Sequence, residues 1–139
     1  MRDERGSAVI EAVIGVPAFM LFVGLIIFAG RMAIAHQAVE SAANEAARAA
    51  SIARDRGAAR NDATTSARTS LTNQKVNCRS IGVTVNTGDF DQPVGTPGSV
   101  SATVTCQVDL ADVSVPGAPG TKTVTATVSS PLDTFRERS

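Results

Sequence analysis

The chain has 139 residues, 13 Lys and Arg against 13 Asp and Glu, and this balance leaves no electrostatic footprint for capturing nucleic acid. It has no Trp or Tyr, and three of its five Phe (Phe19, Phe22 and Phe28) lie in one long apolar run, which rules out an aromatic platform for stacking bases. About 110 residues remain outside that run, enough for one small domain with a thin aliphatic core.

The run follows Gly6-Ser7 and extends from Ala8 to Gly30 with Glu11 as its only charge. From Ala12 to Gly30 there are 19 residues without an ionisable side chain, and as a helix they cover roughly 28 Å, the thickness of a bilayer's hydrocarbon core. An acidic residue in such a segment costs about 2.5–3.5 kcal/mol to insert and therefore asks for a cationic mate. Were the chain cut after Gly6, Ser7 would carry a new α-amino group, four residues from Glu11 and on the same helical face. That carboxylate then meets the amine of its own chain or of a neighbour. An ion pair at about 4 Å with an effective dielectric near 20 is worth about 4 kcal/mol, enough to offset the insertion cost.

Two other readings compete. Ala33-Ile34-Ala35 before His36 resembles a signal-peptidase site, which would release a soluble secreted binding module beginning at His36. Against it, the charge-free run exceeds the usual 7–15-residue core of a signal peptide, and such a signal has no use for Glu11. The third reading is a plain membrane anchor. Met1–Gly6 carries two Arg against two acids, so its orientation bias is weak. Pro17 and Gly24 are expected to kink or locally melt the apolar helix.

Beyond Gly30 the helical pattern continues. Ala35, Ala38, Ala42, Ala46, Ala49 and Ala53 recur at steps of three and four, with Val39, Ala43 and Ala50 beside them. Gln37, Glu40, Asn44, Arg48, Ser51 and Asp55 follow the same rhythm on the other side. One rod of about 75 Å from Ser7 to Arg56 is predicted, broken first at Gly57, with a helix resuming over Ala58–Leu71. The sheet is expected to cover the outer half of the alanine stripe, leaving the inner half for other subunits.

From Val76 the period becomes two. Ile81, Val83 and Val85, then Val100 to Leu110, then Val124, Ala126 and Val128 alternate with polar or small residues and predict three one-sided antiparallel strands. Asn86–Ser99 and Ala111–Gly120 are rich in Gly and Pro and read as loops. Cys78 and Cys106 both fall in this part. In an oxidising compartment they close a loop worth about 3.6 kcal/mol; otherwise they are two buried thiols. Cys78 is out of phase with Ile81, so the bridge needs a bulge near Gly82 or a late strand start.

Little catalytic chemistry is available. One histidine (His36) and two cysteines make no zinc site of ordinary ligand count, and G-x-S-x-G, H-E-x-x-H and Gly-rich phosphate loops are missing from the sequence. Asp89 with Asp91, and Asp109 with Asp112, read as solvated loop carboxylates before they read as a weak calcium site. Arg136-Glu-Arg138 reads as a solvated tail. No enzyme, cofactor or bound metal is expected.

Glycine, a small residue, glutamate and an apolar helix resemble the processing site of type IV prepilins. Arg5-Gly-Ser-Ala-Val-Ile-Glu11, Gly30-Arg-Met-Ala33, Ala46-Ala-Arg-Ala-Ala50 and Ser130-Pro-Leu-Asp-Thr-Phe-Arg136 are similar to the TadE-like branch of the tight-adherence (Flp) pilus system. Ala12 departs from the bulky or aromatic residue common after that glutamate. The resemblance implies an α+β pilin-like fold, a long N-terminal helix on a small three-stranded antiparallel sheet. It divides the chain into a leader (1–6), an assembly helix (7–30), an Ala-rich helix (31–71), a β domain (76–130) and a tail (131–139). It also implies cleavage between Gly6 and Ser7 by a prepilin peptidase, N-methylation of Ser7, and a register role for Glu11. The implied partners are other pilin subunits, the peptidase, an inner-membrane assembly platform and, before assembly, membrane lipid, with no nucleic acid. The implied place is a single pass of the cytoplasmic membrane, N-terminus inside, and then an extracellular pilus. Major Flp pilins are much shorter, which favours a minor pilin or pseudopilin.

Overall fold

Alanine dictates the first element. Its high helix propensity continues the apolar run into α1, Glu4–Ile52, an unbroken helix of 49 residues in a computed structural model that describes residues 4–110 and 120–135. The leader's Met1–Asp3 and the end of the tail, with Arg136 and Arg138, lie outside the described residues. α1 passes through Pro17 and Gly24 without local melting. Proline removes one backbone bond, and the helix continues on both sides of it.

The predicted rod ends earlier than Arg56. After Ile52 the chain turns at Ala53–Asp55, and Gly57, expected as the breaker, lies inside the next helix, α2, Arg56–Asn73. Asp55 starts α2 as its N-cap, with φ −136° and its Oδ1 accepting from the Ala58 N–H at 2.8 Å. A Cβ at Gly57 would lie 3.2 Å from that oxygen, so glycine leaves room for the cap. Asp55→Ala is expected to cost about 1 kcal/mol, a fall of roughly 4–8 °C in the domain's melting temperature by calorimetry.

α2 folds back along α1, and the two bury alanine against alanine. Ala42, Ala43, Ala46, Ala47 and Ala50 of α1 and Ala59, Ala63 and Ala67 of α2 are fully buried. Small side chains let the helix backbones approach closely. The expectation that half the stripe stays free is therefore corrected: α2 takes one side of it and β2 and β3 take the other.

α2 ends in a Schellman turn. The Val76 N–H donates to the Leu71 carbonyl at 3.2 Å and the Lys75 N–H to Thr72 at 3.0 Å. The C′ position, where glycine is usual, is Lys75 with φ +54°. A left-handed non-glycine residue costs about 1–2 kcal/mol.

The sheet has order β1-β2-β3, all antiparallel, from β1 (Cys78–Asn86), β2 (Ser99–Asp109) and β3 (Thr121–Pro131). One face of β2, Val100, Ala102, Val104, Cys106 and Val108, is buried against the helices. On the other face Thr103 and Thr127 hydroxyls pair at 2.9 Å, and Thr105 and Thr125 at 3.3 Å. Fully burying each Val or Leu is worth about 1.5–3 kcal/mol, so Val39, Leu71, Val100, Val104, Leu110 and Val124 carry much of a core rich in alanine.

Two segments expected to be loose are tied down. The 86–99 loop holds a 3-10 turn, Gly88–Asp91, which buries Phe90. The start of the expected tail packs through Leu132, whose N–H donates to Gly98, and the Gly95 N–H donates to Thr134. The second loop, 111–119, lies outside the described residues, and its ends meet where the Leu110 N–H donates to Gly120 at 2.8 Å.

Candidate assembly helix and the base of the domain

Only the outer part of α1 belongs to the folded domain. Twelve large apolar side chains from Val9 to Ile27 are 46–67% exposed. Burial starts at Phe28 and Met32, which pack on the edge of the core. The exposed stretch is long and apolar enough to cross a membrane. So large a contiguous apolar surface marks contact with a membrane or with other proteins.

Gly6, Ser7 and Glu11 all lie on this exposed stretch and in one helix. A Cβ added at Gly6 would touch nothing within 4 Å, so the folded chain has no packing reason for glycine there. Among the described residues Glu11 makes no hydrogen bond or ion pair. Ala8, Ala12 and Gly15 lie beside Glu11 and are also exposed, a stripe of small residues on which another helix can lie close.

Cys78 and Cys106 are joined as a disulfide with their Cα atoms 5.4 Å apart. The bulge that permits it lies at Arg79–Ser80, just before the expected place. Cys78 pairs in register with Val108, and Ile81 with Cys106. The extra β1 residue changes the parity, so Cys78 and Ile81 both turn toward the core.

The loop carboxylates have structural work. Asp89 Oδ2 accepts from the Ser99 N–H at 2.8 Å, Asp91 pairs with Arg56, and Asp109 accepts from Arg79 at 3.2 Å. Asp112 lies outside the described residues. His36 is exposed on α1.

Sequence reasoning missed a cluster at the end of the domain nearest the apolar stretch. Arg31 of α1, Lys75 and Asn77 of the α2–β1 turn and Asp109 of β2 line one hollow of about 200 Å³. Lys75, Arg79 and Asp109 also line a second, of about 360 Å³, beside the same turn. Lys122 stands opposite Val108, a lining residue of the first hollow. Only the antiparallel return of α2 and the strands brings these distant positions together.

Neither curated proteins nor solved structures give a match to the chain. The family model described as TadE-like protein matches residues 6–48, which hold Gly6, Ser7, Glu11, the exposed apolar stretch and most of the alanine face of α1. Over this helix the chain is similar to the TadE-like proteins.

Proposed function

We propose that the chain is a structural subunit, a minor pilin or pseudopilin, of a type IV-like Tad/Flp pilus. It enters the cytoplasmic membrane with its N-terminus inside and its domain outside. A prepilin peptidase cuts between Gly6 and Ser7, and the mature helix assembles with other pilin subunits on an inner-membrane platform. The product serves adhesion or pilus biogenesis.

The observation that carries this reading is Glu11: one carboxylate without a mate among the described residues, four residues past Ser7, on a stretch of helix that the folded domain leaves uncovered. Assembly supplies both things that helix lacks, a cover for its apolar face and an amine for its acid. A charge pair that fixes register between chains is the best-attested use of a buried ion pair. The freedom of space around Gly6 fits a glycine required by the peptidase and not by the fold.

Release of a secreted module by cutting after Ala35 fits less well. Ala35 is buried inside α1, and Phe28 and Met32 pack against the same core; the cut would strip these contacts from the domain. Mass spectrometry of the mature protein decides. A terminus at Ser7 is expected, with one further methyl group if Ser7 is N-methylated. A terminus at His36 rejects the reading.

A further inference from the structure

We infer that the base of the domain binds the phosphate of an anionic phospholipid headgroup in the leaflet beneath it; this rests on the membrane insertion proposed above. Position is the first argument. The core begins at Phe28 without a linker, so the hollow, lined on α1 by Arg31, Ile34 and Ala35, covers roughly the first 2–8 Å past Gly30. The headgroup layer on each side of the hydrocarbon core is of similar depth, roughly 5–8 Å.

Charge is the second. Lys75 lines both hollows at the base and Lys122 stands opposite Val108 at the rim of the first, beside Arg31 and the Arg79–Asp109 pair. The chain as a whole is neutral, and its only two lysines, Lys75 and Lys122, both stand here. The floor is apolar (Ile34, Ala35, Val76 and Val108) and suits the glycerol and upper acyl carbons below a phosphate.

Backbone conformation is the third. Lys75 holds a left-handed conformation that glycine adopts without strain. Strain kept at one residue points to work for its side chain. A phosphate held by these ammonium and guanidinium groups would also orient the domain on the membrane before it leaves for the filament.

The test uses the full mature chain in detergent micelles, with native mass spectrometry to count retained lipid. Phosphatidylglycerol is offered against phosphatidylcholine of the same acyl chains, with inorganic phosphate as a third arm. Phosphatidylglycerol is expected to be retained preferentially. Lys75→Gly and Lys122→Gln are each expected to cut that preference about fivefold, the weight of one cation near a charged surface, while Lys75→Arg keeps it. Lys75→Gly removes the charge and relaxes the backbone, so its melting temperature should hold or rise, which separates lost binding from lost folding. Equal retention of the two lipids, or a preference that survives Lys75→Gly with Lys122→Gln, overturns the inference. Displacement of the lipid by millimolar inorganic phosphate overturns it too, by assigning the base to the free anion. Flotation with vesicles separates this from the reading beneath it: a chain that fails to float rejects membrane insertion, and one that floats without lipid preference rejects only the headgroup site.

Discussion

Substituting Glu11 by alanine will leave the protein in the membrane and abolish its filaments. Insertion should become easier, because the apolar stretch loses its one carboxylate, worth at most about 2.5–3.5 kcal/mol against insertion, the value at a helix centre. Folding should be untouched, because Glu11 lies on the exposed part of α1, far before burial begins at Phe28. On the proposed reading, what is lost is a pair with the amine of Ser7, about 4 kcal/mol at contact distance and an effective dielectric near 20. That is roughly a thousandfold in each subunit's equilibrium for joining, at about 1.36 kcal/mol per factor of ten. Register goes with it, since the apolar side chains around Glu11 attract without direction and a helix can slide along them. The measurement is the yield of sheared filaments against the amount of subunit in the membrane fraction, with the domain's melting temperature as the control for folding. An unchanged filament yield removes Glu11 from the mechanism.

The parts of this molecule that were legible in its sequence are those governed by a repeating pattern. Alternation from Val100 to Val108 is strict, and the strand it predicts is there with the same face buried. Alanine at steps of three and four marked the helix, and Gly6, Ser7 and Glu11 lie on it. What escaped was decided by single residues or by topology. Asp55 continues the polar row of α1 in period, and only its capping bond to Ala58 reveals it as the start of α2. Once α2 exists, its own alanines compete for the stripe that looked free for other subunits. Lys75 carries no glycine-like signal for the turn it makes, and the base cluster unites four elements that no local pattern connects.

Reducing the Cys78–Cys106 bridge will cost the domain more than any single side chain in its core. The two residues are 28 positions apart, and holding that loop closed in the unfolded chain is worth about 3.6 kcal/mol in the chain-entropy account. For a domain of roughly 100 residues this is a fall of about 15–30 °C in melting temperature. The architecture makes the loss hard to absorb. β1 is an edge strand, its first residue lies beyond the bulge, and the alanine interface under it has little apolar area to spare. Reductant acting on the oxidised full chain in detergent should lower the melting temperature by that amount, and the double variant Cys78→Ala with Cys106→Ala should match it without reductant. The single serines should differ: Cys106 is fully buried while Cys78 is only partly so, and a hydroxyl placed where Cys106 lies has to find a hydrogen-bond partner in an apolar layer or lose about 1–3 kcal/mol more. A melting temperature indifferent to reductant would mean that the sheet closes without the crosslink, and that the thin core is stronger than its composition allows.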